Sequence, residues 1–234
     1  MLFETVGFLW GDGSTENVRS IRFTNSESSS LNHCINFFES IGIKRGIWKA
    51  QVIWTGSSEP SEEIKENCKQ FWSNSLKLPI ENIKSVSWNK GKKNRLEFGS
   101  VRIFIDNAVL FEIFVNGILK WIKDTIKDEK EIDDKILISL ARGILSSEGC
   151  MTFHKNVIRS VNISFDPHSN EESLFRKIFH RLGISTLPRH KNNNEFSIEG
   201  WDNFLKIFLM EGFKLSQTNR IKFSNGFLSH KSTI

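Results

Sequence analysis

The 234-residue sequence has no tyrosine, only three cysteines, and no apolar run near the roughly 20 residues that cross a bilayer, so no membrane association is expected. Cys34, Cys68 and Cys150 are odd in number and follow neither a CxxC nor a Cys/His pattern. That argues against a zinc ribbon and against a disulfide framework, leaving free, mostly buried thiols in a reducing cytoplasm, or in an organellar matrix if the gene is organellar. The six histidines show no HxxxH or HxH spacing, which argues against a histidine metal site. A phosphate-cradling glycine loop and a nucleophile motif are also missing, which leaves little support for an α/β enzyme with a small substrate. The N-terminal apolar stretch carries Glu4 and Asp12 and has neither a basic flank nor a cleavage site, so it does not read as a secretory signal.

What is present points to a globular fold with a basic surface. With 38% apolar residues, 20 Phe and 7 Trp, the chain can bury a core of one large domain or two of about 110 residues. Trp10, Trp54, Trp72 and Trp121 fall on apolar or amphipathic stretches and read as core residues. The net charge of +5 and pI near 9.1 come from Lys and Arg spread beside Ser, Asn, Thr and Trp, a composition suited to phosphates.

An internal repeat organises the rest. TVGFLWGDGS, VRSIRFTN and LNHCINFFESIGI in residues 5–43 recur in outline as ARGILSSEGC, IRSVNISF and SLFRKIFHRLGI in residues 141–184. Gly7 and Asp12 precede Gly143 and Glu148 by 136 residues, and Arg19-Ser20-Ile21 precedes Arg159-Ser160-Val161 by 140. The growing offset puts small insertions in the loops of the second copy. Two halves are expected, residues 1–127 and 128–234, joined by the charged stretch Asp124 to Asp134.

In each copy a strand alternates core and polar residues: Ile21 and Phe23 against Ser20, Arg22 and Thr24, then Val161, Ile163 and Phe165 against Ser160, Asn162 and Ser164. Helical spacing follows at Leu31, Cys34, Ile35 and Phe38, and at Leu174, Phe175, Ile178 and Leu182, with stops at Gly42 and Gly183. Further strands are predicted at 47–54 and 196–198, and closing helices at 107–123 and 201–210. The first copy carries an insert at about 56–96. It reads as a helix capped by Ser58 or Ser61, then strands at 82–88 and 97–105 joined by the basic loop NKGKKNR.

The helix ends carry the chemistry. Gly7 and Gly11, and in the second copy Gly143 and Ser147, are small residues four apart, which clears a groove for close packing of two helix backbones. If the two helices pack in parallel, Asp12 and Glu148 arrive at the same end, and Gly13 and Gly149 let the chain turn into the strands. Two adjacent carboxylates require a proton, a basic partner or a cation. Mg²⁺ suits hard oxygen ligands shared with water and phosphate, and two such ions about 4 Å apart can clamp both oxygens of a phosphodiester displacement.

GFLWGDGS and RGILSSEGC, each followed by a strand and a helix ending at glycine, resemble the two signature motifs of the LAGLIDADG homing endonucleases in their single-chain form. The resemblance covers nearly the whole chain outside the insert. It implies an α+β fold of two pseudo-symmetric αββαββα halves, each with a curved antiparallel sheet, together forming a saddle over double-stranded DNA. It also implies a monomeric Mg²⁺-dependent endonuclease of the intron- or intein-associated kind, for which Mn²⁺ can substitute. By position, Asp12 and Glu148 match the metal-binding catalytic acids, and Asn25 matches a polar residue that helps order the catalytic water. Ser20, Arg22, Thr24, Ser160, Asn162 and Ser164 match DNA-facing strand residues, with Lys49, Gln51, Ile53 and Arg189 as looser candidates. The residue matching Asn25 in the second half falls near Phe165, and the family's late lysine corresponds most closely to Ser216, with Lys214, Arg220 and Lys222 nearby. The alternative on the same scaffold is a non-cleaving DNA-binding regulator or an RNA maturase.

Overall fold

The computed structural model describes residues 1–13, 19–91, 96–188 and 194–231. It opens with helix α1 (Leu2–Asp12) and divides into two compact units, Asp12–Glu112 and a second made of Met1–Gly11 with Ile113–Ile234. The second unit therefore holds most of α1 together with the later copy of the repeat.

In the unit Asp12–Glu112 the order is β1 (Ser20–Asn25), α2 (Ser28–Ser40), β2 (Lys49–Gly56), α3 (Glu62–Leu76), β3 (Ile83–Lys90), β4 (Ser100–Asp106) and α4 (Ala108–Phe111). The sheet order is β1-β4-β2-β3. β4 pairs antiparallel with both β1 and β2, whereas β2 and β3 are parallel. The two strands of the insert region thus form no hairpin: β4 lies in the middle of the sheet and β3 on its edge, with β2 between them. Parallel neighbours need a crossover, and α3 supplies it, so the sheet is not wholly antiparallel.

Alternation along the strands divides this sheet into two faces. Ile21, Phe23, Ala50, Val52, Val101 and Ile103 are buried, and Phe38 of α2 and Trp48 complete an edge-on aromatic cluster with ring centroids 5.4 Å apart. Complete burial of a side chain of this size contributes about 1.5–3 kcal/mol. Ser61 caps α3 by accepting the Ile64 amide at 3.3 Å, the Trp72 indole donates to the Phe98 carbonyl at 2.9 Å, and Arg45 donates to Asn32 and the Leu76 carbonyl at 2.9 and 2.7 Å. The helix of the insert is therefore fastened to α2 and to the segment leading into β4.

After a π-helical stretch, Glu112–Leu119, the second unit continues with α5 (Lys120–Lys127), α6 (Asp134–Glu148), β5 (Gly149–His154), β6 (Val157–Ser164), α7 (Glu171–Arg181), β7 (Leu187–Pro188), β8 (Glu195–Ile198), α8 (Trp201–Leu209) and α9 (Gln217–Lys231). From α6 to α8 this is the order α-β-β-α-β-β-α, with a four-stranded antiparallel sheet ordered β5-β6-β8-β7. Val161, Ile163, Phe196 and Ile198 face the core against Phe175, Ile178 and Phe179 of α7. The β5–β6 register shifts at Thr152/Phe153, pairing Phe153 with Ile158 and leaving Arg159 unpaired on β6.

Helix α9 has no counterpart in the predicted pattern. Its Gly226 sits so close to Phe153 and Ile158 that a Cβ there would come within 2.6 Å of the Phe153 ring, and Phe227 stacks on Trp201 and Phe208 at 4.3 and 4.7 Å. One further reading is revised by burial: Trp121 is exposed, because helix α5 turns it outward, while Trp10 and Trp72 lie in the core and Trp54 is partly buried. The thiols are mostly buried as expected, Cys34 and Cys68 in the core and Cys150 exposed on β5.

Candidate metal-binding acids and nucleic-acid interface

The site begins where α1 lies along α6. A Cβ added to Gly7 would collide with the Leu140 carbonyl, one on Gly143 would lie 2.5 Å from the Phe8 amide nitrogen, and one on Gly11 would lie 2.8 Å from Cγ of Glu148. Later residues of one helix meet later residues of the other, so the helices run parallel with their backbones in direct contact. Side chains larger than hydrogen at 7 and 143 would force the helices apart. At 11 the missing side chain leaves room for Ser147 and for the stem of Glu148.

Glu148 ends α6 at this seam and is only partly exposed. Burial, and after it the negative charge of Glu171, pushes its carboxyl up to about 7. No lysine, arginine or histidine among the described residues pairs with it. Lys123 of α5 stands over the Trp10 ring at 4.9 Å, and burial holds its ammonium below the usual lysine range while Glu171 acts in the opposite direction.

Asp12 ends α1 and belongs to the other unit. The Asn25 side-chain amide donates to its carboxylate, and the Asn25 carbonyl oxygen accepts the Glu27 amide at 2.8 Å. Asn25 thus ties Asp12 to the start of α2. Asp12 also reaches the buried Cys34, whose thiol is pushed well up by burial first and by the Asp12 charge second. The chain then turns, with Gly13 bridging to Phe23 of β1.

Lys214, near Ser216 in sequence, is engaged within the fold. Its ammonium donates to buried Glu4 at 3.1 Å, and Arg142 reaches the same oxygen at 3.2 Å. Glu4 lies seven residues before Gly11, about 10 Å along the helix axis. The segment after Lys214 does reach the end of α6: the Leu215 amide donates to Ser146 Oγ at 3.3 Å, and Asn219 donates to the Gly149 carbonyl at 3.4 Å. Ser216 is buried and caps α9 by accepting the Asn219 amide at 3.2 Å.

The polar face of the first sheet is ordered by register. Thr24, Arg102, Gln51 and Ser85 form one row across all four strands, and Arg22, Phe104 and Lys49 form the next. Arg102 Nε donates to Thr24 at 3.2 Å, Arg22 Nε donates to buried Ser20 at 2.7 Å, and Lys49 pairs with Asp106 at 2.9 Å while lying over the Phe104 ring. Arg102 and Phe104 were not singled out from sequence, although the alternation of SVRIFID carried the signal. These four strands hold five basic residues and one acid. The second sheet holds one arginine, Arg159, against one acid, Glu195.

On β6, Ser160 and Asn162 are buried. Ser160 donates to Asn162 at 3.0 Å and sits 2.7 Å from Thr152 Oγ1, so both are occupied within the sheet. Ser164 is partly exposed. Phe165, at the position matching Asn25, packs against Phe196 with ring centroids 6.4 Å apart. Arg189 and most of the basic loop NKGKKNR lie outside the described residues. Among the described residues no group of three or more His, Cys, Asp or Glu side chains could hold a metal ion.

No protein-family model matches this chain, and neither does any curated protein. Among solved structures it is similar to the N-terminal LAGLIDADG domain of DUF199/WhiA, at 14% identity and a TM-score of 0.49, covering 93% of this chain and 83% of that one. It is also similar to I-DmoI in complex with DNA and Ca, at 10% identity and a TM-score of 0.45, covering 88% of this chain and 85% of that one.

Proposed function

We propose that this chain is a LAGLIDADG-type protein that binds a long double-stranded DNA site and hydrolyses its phosphodiesters, with Asp12 and Glu148 holding Mg²⁺. The observation that carries the reading is Glu148: a partly buried carboxyl at a glycine-lined helix seam, raised to about 7, with a like charge in range and no basic partner among the described residues. A protonated acid or a bound cation resolves that arrangement, and hard carboxylate oxygens suit Mg²⁺. Mg²⁺ is commonly held by one or two carboxylates together with waters and substrate phosphate, so two acids from the protein suffice. When bound, the ion would polarise the phosphodiester and lower the pKa of a coordinated water.

The protein's own groups prepare this chemistry. Asn25 fixes the orientation of the Asp12 carboxylate through a bond anchored on α2. Arg22, Arg102 and Lys49 present positive charge on a strand face where phosphates can approach. In Mg²⁺, the purified protein is expected to cut a plasmid library at defined sites. Asp12→Asn and Glu148→Gln should abolish cutting and preserve binding, while cutting that persists in a chelator would refute the reading.

The non-cleaving reading draws on two observations. Phe165 replaces the polar residue that orients the acid in the other half, and Lys214 is taken up by Glu4. Sequence-selective binding with no cleavage under any divalent ion would favour a DNA-binding regulator.

A further inference from the structure

The insert in the first copy ends in a strand that the repeat does not call for. β3 lies on the outer edge of its sheet, parallel to β2, and is held by α3 packed behind it. Trp88 of β3 donates its indole N–H to the Gly56 carbonyl at 3.1 Å, and Ser87 Oγ donates to the Val52 carbonyl at 3.1 Å, so the strand is anchored at both levels. Register places Ser85 beside Gln51, Ser87 beside Ile53 and Asn89 beside Thr55. These are the residues of β3 on the face that carries Thr24, Arg102 and Gln51. Ser85 and Ser87 are partly exposed and Asn89 is exposed, and Lys84 and Lys90 add two exposed cations to the same strand.

We infer that β3 is an added reading strand, through which Ser85 and Asn89 contact bases at the outer end of the half-site served by the unit Asp12–Glu112. The inference rests on the DNA-binding reading above and assigns the insert a role within it. Three observations carry it. The polar row Thr24–Arg102–Gln51 continues without a break onto Ser85. The polar face of these strands carries Arg22, Lys49 and Arg102 against one acid, Asp106, a positive surplus that complements a phosphate backbone. Serine and asparagine offer base-edge hydrogen bonds, asparagine pairing best with adenine.

Geometry also sets where the contact falls. Asn25, which holds Asp12, is on β1, and β3 is three strands away. At about 4.8 Å per strand that is roughly 14 Å, or about four base-pair steps farther from the cut than the bases read by β1. Among the described residues the second sheet has no equivalent strand, since its order β5-β6-β8-β7 ends at the two-residue β7. The DNA site is therefore asymmetric, with the longer specified arm on the side of the insert.

The test is selection of bound duplexes from a random library, comparing the parent with Ser85→Ala/Asn89→Ala, which leaves the anchoring Ser87 and Trp88 in place. The double variant should lose preference at two to four adjacent positions at one end of the site, with affinity for the parental site falling about 5- to 30-fold and every other position unchanged. A second variant, Ser85→Lys/Asn89→Lys, should lengthen the protected footprint at that same end and steepen the salt dependence of binding by about one ion per lysine. A parent that enriches a defined site while the alanine variant enriches the identical one overturns the role of β3 alone. A parent that enriches no duplex overturns the DNA-binding reading and this inference with it.

Discussion

Gly143 and Gly7 face each other across two parallel helices, with the Cβ position of Gly143 only 2.7 Å from the carbonyl carbon of Gly7. Exchange of a mid-helix glycine for alanine normally adds about 1 kcal/mol of stability through backbone entropy. Here contact outweighs entropy. Gly143→Ala should destabilise the protein by about 2–4 kcal/mol in urea unfolding, and Gly7→Ala by a comparable amount, because backbone atoms cannot yield as a flexible side chain can. Gly46, where an added Cβ would meet nothing within 4 Å, is the control and should change little.

The raised carboxyl of Glu148 makes stability fall as pH rises. The unfolded chain releases this proton near 4.5 and the folded chain holds it to about 7, so between those values the native state binds more protons. The penalty is absent below about pH 4.5 and complete above about pH 7. In a chelator, Glu148→Gln should match the parent at the acid end and exceed it at pH 8 by about 3 kcal/mol. Saturating Mg²⁺ at pH 8 should stabilise the parent and leave the variant nearly unaffected.

Asn25→Ala removes the donor that orients Asp12 while leaving the strand faces intact. Cleavage should fall about 10- to 100-fold, the scale typical of lost support to a metal ligand, with DNA affinity within about twofold of the parent. Equal losses in binding and cleavage would refute the orienting role. Single-turnover kinetics beside a filter-binding titration separates the two.

Charge on the two sheets predicts unequal grip. Arg102→Ala and Arg22→Ala should each reduce the slope of log affinity against log salt by about 0.9, whereas Arg159→Ala should change it less. Arg102→Ala should also loosen Thr24, its hydrogen-bond partner, and so alter sequence preference where Arg22→Ala does not.

Lys214→Met tests the placement of that lysine directly. The variant leaves buried Glu4 with Arg142 and the N-terminal amine, at a cost of about 1–2 kcal/mol in unfolding free energy. Its cleavage rate, measured where the protein is fully folded, should stay within about threefold of the parent, because Glu4 lies at the far end of α1 from Gly11.

Much of this was legible in the sequence because it depends on local periodicity. Ile21 and Phe23 alternate with Arg22 and Thr24, and the helix after each strand spaces its apolar residues as a buried stripe must. The glycines of the two motifs announced a close helix seam for steric reasons alone. What stayed hidden was non-local. Nothing in KSVSWNK or SVRIFID states which strand it joins, so the parallel pairing of β3 and the central place of β4 came only from the fold. The polar residues of β6 alternate correctly, yet Ser160 and Asn162 spend their hydrogen bonds on each other and on Thr152. Helix α9 was missed because QTNRIKFSNGFLSHK concentrates its contacts in Phe223, Gly226 and Phe227 without a continuous apolar stripe.

The seam between α1 and α6 also constrains how the protein is made. α1 leaves the ribosome more than 120 residues ahead of α6, and Val6, Phe8, Leu9 and Trp10 are all buried in the finished fold. At about 5–20 residues per second, those side chains wait roughly 6–25 s for their partner helix. During that interval the strands of Asp12–Glu112 can pair, so their sheet can assemble while the helix preceding it stays undocked. Closing the α1–α6 seam is then a late, long-range event of biosynthesis, and a chain interrupted before residue 148 exposes an apolar helix for which chaperones and proteases compete.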